Sequence, residues 1–376
     1  MRRSLATLAG LLAFLTATSA LAAAPAGRPE ALDDGWTVAA PAEVGVDAAR
    51  LAELSARIED QTFKKITSIL VARDGKLIHE AYFNGGERER LNDIRSASKS
   101  LTSLLTGAAI DRGLIPGVDA KVFGYFKDRR WAHPDARKLA FTLEDLLTMS
   151  ASWECNDDNQ FSSGNEERMY VAEDWLQFAL DLPMRGYAPW DTLPADAPYG
   201  RSFSYCTAGT LVLGAVVERA TGKSLSAFAH EVLEAPLGIT QVRWNLASGG
   251  VTMGGGGTRY RSRDLLKLAE MVRARGRWQG KQIISTRYLD AALTPRAVPR
   301  ENTEYGYLFW RMGTTEGKPS HWAWAMAGNG GNYVLIVPEQ NLVAVITSEA
   351  YNQGYAHPQS QKILREYLIK AVKASP

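Results

Sequence analysis

Residues 95–113 read RSASKSLTSLLTGAAIDRG. Leu101, Leu104, Leu105, Ala108 and Ala109 recur at helical spacing, which predicts a helix over residues 96–112 with Gly113 as its stop. Ser96 and Lys99 lie three residues apart at its start, and residues so spaced share one side of a helix. The positive end of the helix dipole disfavours a second cation there, and burial favours a neutral amine. A neutral Lys99 is competent to take the proton from Ser96. The unpaired N–H groups of the first turn point to where an oxyanion would form. The spacing alone is common by chance, and a capped helix start with a solvated lysine has the same pattern, so the surrounding sequence has to carry the reading.

Upstream, ITSILVARDGKLIHEAYF (66–83) is two β-rich runs about an Asp-Gly turn, the pattern of a hairpin. Downstream, residues 115–260 carry mainly helix and loop signals, with short helices at 143–149 and 173–181 and a strong apolar helix at 209–220. A further helix is predicted over 262–275. Strand patterns return in YGYLFW (305–310), HWAWAMAG (321–328), NYVLIVP (332–338) and NLVAVITS (341–348), before a closing helix over 361–372. Strands from both ends of the chain must then share an antiparallel sheet, with a helical lobe inserted between them: an α+β fold. The sheet part is expected at about 40–95 and 261–376, the insert at about 96–260. The glycine run in VTMGGGGTRY (251–260) matches no phosphate-binding pattern and is read as a loop.

Residues 1–22 combine a basic start, an apolar run rich in Ala and Thr, and Ala20-Leu21-Ala22, which predicts a secretory signal peptide and a periplasmic or secreted mature protein of residues 23–376. The whole chain carries a net charge of +2 and is 45% hydrophobic. Neither nucleic acid nor, once the signal is cleaved, a membrane is called for as partner. In an oxidising compartment the two cysteines, Cys155 and Cys206, are read as a disulfide rather than a metal site. Five scattered histidines form no zinc motif, so neither metal nor other cofactor is expected.

Two more segments raise the weight of Ser96 and Lys99. Tyr205 stands in GRSFSYCTAG just before an apolar helix, where a cation could make it a second proton-transfer group. MAGNGG (326–331) breaks a strand pattern with glycines, as where a backbone or ligand approaches closely.

Taken together these segments resemble the serine β-lactamase and penicillin-binding-protein superfamily, in its class C-like branch. Ser96-Ala97-Ser98-Lys99 resembles its Ser-x-x-Lys motif. FSYCTAGTLVLGAVVERATGKSL (203–225) resembles its Tyr-x-Asn segment, and AGNGGNYVLIVPEQNLVAVITS (327–348) its closing hairpin. RSRDLLKLAEMVRARGRWQGKQIIS (261–285) resembles the family's Arg-Asp-Leu helix and the turn after it. LEDLLTMSASW (143–153) points to the 6-aminohexanoate-dimer hydrolases and related esterases. The resemblance spans roughly residues 40–372. It implies a β-lactamase/transpeptidase-like fold and a serine hydrolase acting on a small ester or amide. Ser96 would be acylated, Lys99 and Tyr205 would share proton transfer, and the backbone N–H groups of Ser96 and Asn329 would form the oxyanion hole. Thr207, Gly328 and Gly330 would contact substrate. Thr207 stands where Asn or Ser is usual. No Lys-Thr-Gly is present; its place falls to Met326-Ala327-Gly328 or Gly328-Asn329-Gly330. That loss of a cation disfavours the alternatives of a β-lactamase or a D-Ala-D-Ala carboxypeptidase. A non-catalytic binding or sensor protein on this scaffold is the remaining alternative. A Cys155–Cys206 bond would pin one wall of the site beside Tyr205. The aromatic residues Trp153, Phe161, Tyr170, Trp175, Tyr187 and Trp190 are candidates to line an acyl pocket.

Overall fold

Asp74 and Gly75 both adopt left-handed backbone, φ +50° and +76°, the turn that folds strand Ile66–Arg73 back on Lys76–Tyr82. This is the first hairpin of a nine-stranded sheet in a computed structural model, which describes residues 27–315, 319 and 321–373. The predicted signal peptide lies outside the described residues.

From one edge the strands run Thr37–Val38, Lys76–Tyr82, Ile66–Arg73, Leu342–Ser348, Asn332–Val337, Trp322–Gly328, Trp310–Gly313, Thr303–Tyr305 and Ala297–Arg300. The join between the two ends of the chain is the pair Ile66–Arg73 with Leu342–Ser348, where Ile69 faces Ile346. All neighbours are antiparallel except the edge pair Thr37–Val38 with Lys76 and Leu77, which makes the sheet mixed.

Side-chain alternation sends the central strands into two cores. Leu70, Ala72, Val343 and Val345 point to the face that also buries helices Ser98–Asp111, Thr207–Thr221 and Ser262–Arg273. Ile69, Val71, Ala344 and Ile346 point to the other face, covered by helix Ala48–Glu59 and the C-terminal helical segment through Leu364 and Leu368.

The sequence expectation fails in two instructive places. YGYLFW is not one strand: Tyr305 ends one strand, Leu308 takes φ +60°, and Trp310 begins the next. The bend frees the Leu308 carbonyl to accept from Ser100 Oγ at 2.5 Å, and its N–H to reach Leu147. The helix after Ser96 is also not amphipathic. Residues 98–109 are all buried, because each polar side chain on the second face has a partner. Thr102 Oγ1 donates to the Gly254 carbonyl at 2.8 Å, Thr106 Oγ1 to Thr102, and Ser103 pairs with Tyr288. A serine- and threonine-rich helix can therefore run through the middle of the molecule.

Candidate active site

Arg95 has φ +50°, a conformation uncommon for a residue with a side chain. It is held there from three sides. Its N–H donates to Asp93 Oδ1 at 3.0 Å, its carbonyl accepts from Ser98 Oγ at 2.7 Å, and its guanidinium lies 4.4 Å from the Tyr351 ring centre. Residues Arg95–Ala97 form a tight 3-10 turn, and the α-helix proper starts at Ser98, two residues later than predicted. Ser96 is thus lifted to the lip of the helix, half-buried, while Lys99 is buried at 1% exposure.

Lys99 Nζ donates to Ser96 Oγ at 3.0 Å and to the Gly255 carbonyl at 2.6 Å. It lies 5.0 Å from the centre of the Tyr205 ring. The structure therefore brings Tyr205 to Ser96 and Lys99, from which it stands more than a hundred residues away in the chain. It also adds a partner the sequence did not reveal. The glycine run read as a plain loop packs against the helix: a Cβ on Gly254 would lie 2.7 Å from Thr102 Oγ1, and one on Gly255 2.8 Å from the Thr207 side chain. Only bare backbone lets the Gly255 carbonyl reach the lysine.

The strand Trp322–Gly328 ends against the Ser96 turn. A Cβ on Gly328 would fall 2.0 Å from the Ile94 carbonyl oxygen and 3.1 Å from the Ala97 nitrogen. This contact sets the third motif's place along the strand. Met326 is fully buried and Gly328 is the residue that abuts the Ser96 turn, so an apolar side chain, not a cation, stands two residues before it. Asn329 follows, its side chain tied to Asn352. Gly330 does not contact the cleft as expected; at φ +86° it turns the hairpin beneath the Tyr351 ring.

Thr207 is buried at 1% exposure, and its hydroxyl donates to Glu166 Oε2 at 3.1 Å. Beside it lies Asp157, which the sequence did not single out. Asp157 Oδ2 accepts from the Thr207 N–H at 2.7 Å, Oδ1 accepts from the Glu166 N–H at 3.0 Å, and the Asp157 N–H donates to the Tyr205 carbonyl at 2.9 Å. Burial pushes the Asp157 carboxyl up to about 6; the Lys99 charge opposes the shift and Glu166 adds to it. Cys155 and Cys206 are joined in a disulfide that links the same two segments.

Two hollows meet at Ser96 and Asn329. One, of about 320 Å³, is lined by Asp157, Tyr205, Arg300, Trp310, Ala327 and His357 among others. The second, of about 460 Å³, is lined by Glu166, Tyr170, Trp175, Asn245 and the backbone of Gly255–Gly257 among others. Of the predicted aromatic lining only Tyr170 and Trp175 are at the site. Trp153 is core, and Phe161 and Trp190 are mainly solvent-exposed. Arg300 lies 5.6 Å from the Trp310 ring centre and has no carboxylate partner among the described residues. Also among these residues, no group of three or more His, Cys, Asp or Glu is placed to hold a metal.

A mixed sheet flanked by helices, with Ser-x-x-Lys on a buried helix against the sheet's inner edge, defines a β-lactamase/transpeptidase-like protein. The chain belongs to the Beta-lactamase family, whose pattern matches residues 58–365. It is 27% identical over 267 residues to the 6-aminohexanoate-dimer hydrolase of Paenarthrobacter ureafaciens, covering 68% of this chain and 64% of that protein. It is 26% identical over 216 residues to esterase EstB of Burkholderia gladioli, covering 53% of each. The match thus spans less than two thirds of either relative's length. Among solved structures, a penicillin-binding-protein homologue from Caulobacter crescentus superposes with a TM-score of 0.65 at 15% identity, covering 87% of this chain and 99% of the other. A family VIII carboxylesterase also gives 0.65 at 15% identity, covering 86% and 97%. At such identities the likeness speaks to the fold alone.

Proposed function

We propose that the protein is a serine hydrolase that cleaves a small ester or amide through an acyl-Ser96 intermediate. The observation that carries the reading is the 3.0 Å hydrogen bond from buried Lys99 to Ser96 Oγ, with Tyr205 against the same amine and open space on both sides of the hydroxyl. Ser96 Oγ attacks the carbonyl carbon as its proton passes to the Lys99–Tyr205 pair. The oxyanion is assigned to the N–H groups of Ser96 and Asn329, supported by the abutment of Gly328 on the Ser96 turn. Collapse expels the alcohol or amine, which takes the proton, into one hollow while the acyl group stays in the other. Water then enters and attacks the acyl carbon as its proton moves to the same pair, and collapse expels Ser96 Oγ, which takes that proton back as the acid leaves.

The names of the two relatives, a 6-aminohexanoate-dimer hydrolase and an esterase, support an amide or ester as substrate. With Met326 buried where a lysine would bind a β-lactam's carboxylate, β-lactamase and peptidase activity rank below esterase or amidase activity. The disulfide and the apolar N-terminal run support export with removal of residues 1–22, and no described helix is long and apolar enough to cross a membrane.

The test is intact mass after incubation with a fluorophosphonate, beside Ser96→Ala. One adduct per chain, lost in the variant, is expected. No adduct on the native protein, under conditions that label a control hydrolase, would remove the enzyme reading and leave a binding scaffold.

A further inference from the structure

Asp157 sits at the start of two helices at once, Glu166–Tyr170 and Thr207–Thr221, and takes the N–H of the first residue of each. Asn165 and Cys206 already occupy the cap positions of those helices, so the carboxylate is not needed as an ordinary cap. A neutral acceptor would satisfy an N–H without the cost of a buried charge. The charge is instead retained beside Lys99 and Glu166, at a position that borders the same hollow as Ser96. Its three bonds all converge on residues 205–207 or on the helix that holds Thr207's hydroxyl. The N–H bond to the Tyr205 carbonyl is backbone and independent of the carboxyl's charge, and the Tyr205 ring packs on Phe203 and Trp310. What the carboxylate alone supplies is the acceptor for the Thr207 N–H, where the next helix begins, and for the Glu166 N–H.

We propose that ionised Asp157 is a positioning residue for acylation: with Oδ2 on the Thr207 N–H and Oδ1 on the Glu166 N–H, it fixes the start of the helix that follows Tyr205 so that Tyr205 stays against Lys99 and Ser96. The proposal rests on the serine-hydrolase reading above. The groups facing Asp157 are Lys99 from the nucleophile's helix, Glu166 with Tyr170 bonded behind it, and Tyr205 from the segment it holds. Two acceptor oxygens are required, because each takes a separate N–H. A protonated acid or an asparagine keeps one good acceptor and turns the other into a donor facing an N–H. Protonation therefore releases one of the two helices. With Asp157 pushed up to about 6, both carboxylate bonds are in place above that pH and one of them is given up below it.

The experiment is the rate of fluorophosphonate labelling of Ser96 between pH 5 and 8.5, with kcat and KM for a 4-nitrophenyl ester alongside. The native protein should show labelling that falls as pH drops through about 6. Asp157→Asn should label about tenfold more slowly at pH 7.5, the size of one lost charge-assisted hydrogen bond, with that inflection gone. The loss should lie in kcat, with KM within about twofold, since a uniform-binding loss would show in KM instead. Glu166→Gln should move the inflection to lower pH, because it removes a like charge; a purely structural clamp would not shift. An Asp157→Asn rate within twofold of native at pH 7.5, or an inflection that survives in it, overturns the proposal. Should Asp157→Asn fail to fold, the native and Glu166→Gln profiles decide: no inflection near 6 in the first, or none moved in the second, overturns it. A native protein that labels normally but shows these failures loses only this inference. One that never labels loses the hydrolase reading as well.

Discussion

Replacing Gly328 by alanine adds one methyl group, and the structure gives it nowhere to go. The new Cβ would lie 2.0 Å from the Ile94 carbonyl oxygen and 3.1 Å from the Ala97 nitrogen. Both are backbone atoms, so no side chain can rotate aside. Non-bonded contact needs somewhat over 3 Å, so strand end and nucleophile turn must part by roughly 1 Å. The strand is paired from Trp324 to Gly328 with Asn332–Ile336 and is buried from Ala323 to Met326, which leaves the end at Asn329 and the turn at Ser96 as the parts that give. Overpacking of this kind costs about 1–3 kcal/mol of stability. The larger effect is catalytic: a displacement of roughly 1 Å between nucleophile and oxyanion donors can cost about 100-fold. The assay is kcat/KM on a 4-nitrophenyl ester with a thermal melt, and Gly354→Ala as control, since nothing lies within 4 Å of a Cβ there. A fall of one to two orders of magnitude in kcat/KM is expected for Gly328→Ala and none for Gly354→Ala. Activity within threefold of native in Gly328→Ala would refute the close apposition of the two elements and the oxyanion assignment built on it.

Two further outcomes follow from the site's surroundings. The disulfide closes a separation of 51 residues, so Cys155→Ala/Cys206→Ala should lose about 4 kcal/mol by the loop-entropy argument; an unchanged melting temperature would show that these segments are held without it. Arg300, stacked on Trp310 at the hollow's rim without a carboxylate partner among the described residues, should favour an acyl chain that ends in a carboxylate by about two- to fivefold at low salt. The ratio of kcat/KM for 4-nitrophenyl hydrogen succinate over the butyrate ester should fall in Arg300→Gln, and an unchanged ratio would assign that preference elsewhere or to nothing.

Much of the fold was written in local pattern. The Asp74-Gly75 turn, the apolar runs of the central strands and the helix after Cys206 each follow from residues close together in sequence, because turn geometry and side-chain periodicity are local properties. Ser96, Lys99 and Tyr205 were singled out by their places at or just before apolar helices together with the resemblance of several segments to one family, since the Ser-x-x-Lys spacing alone is common by chance. The bend at Leu308 and the full burial of the Ser98–Asp111 helix were not, since both depend on partners such as Leu147, Gly254 and Tyr288 that only folding brings near.

At the site the division is sharper. Sequence alone determined that a hydroxyl and an amine stand three residues apart where a helix begins, and that one of the two cysteines adjoins a tyrosine. Only the tertiary structure decided that Gly255 supplies the lysine's second acceptor, that Thr207 turns to Glu166, that Gly330 serves the turn rather than the cleft, and that Asp157 binds the start of two helices. A backbone carbonyl carries no signature in its residue's name, and a carboxylate's role is set by what lies within 3 Å of it. Those distances arise from how sheet, insert and loops pack, which no local pattern records.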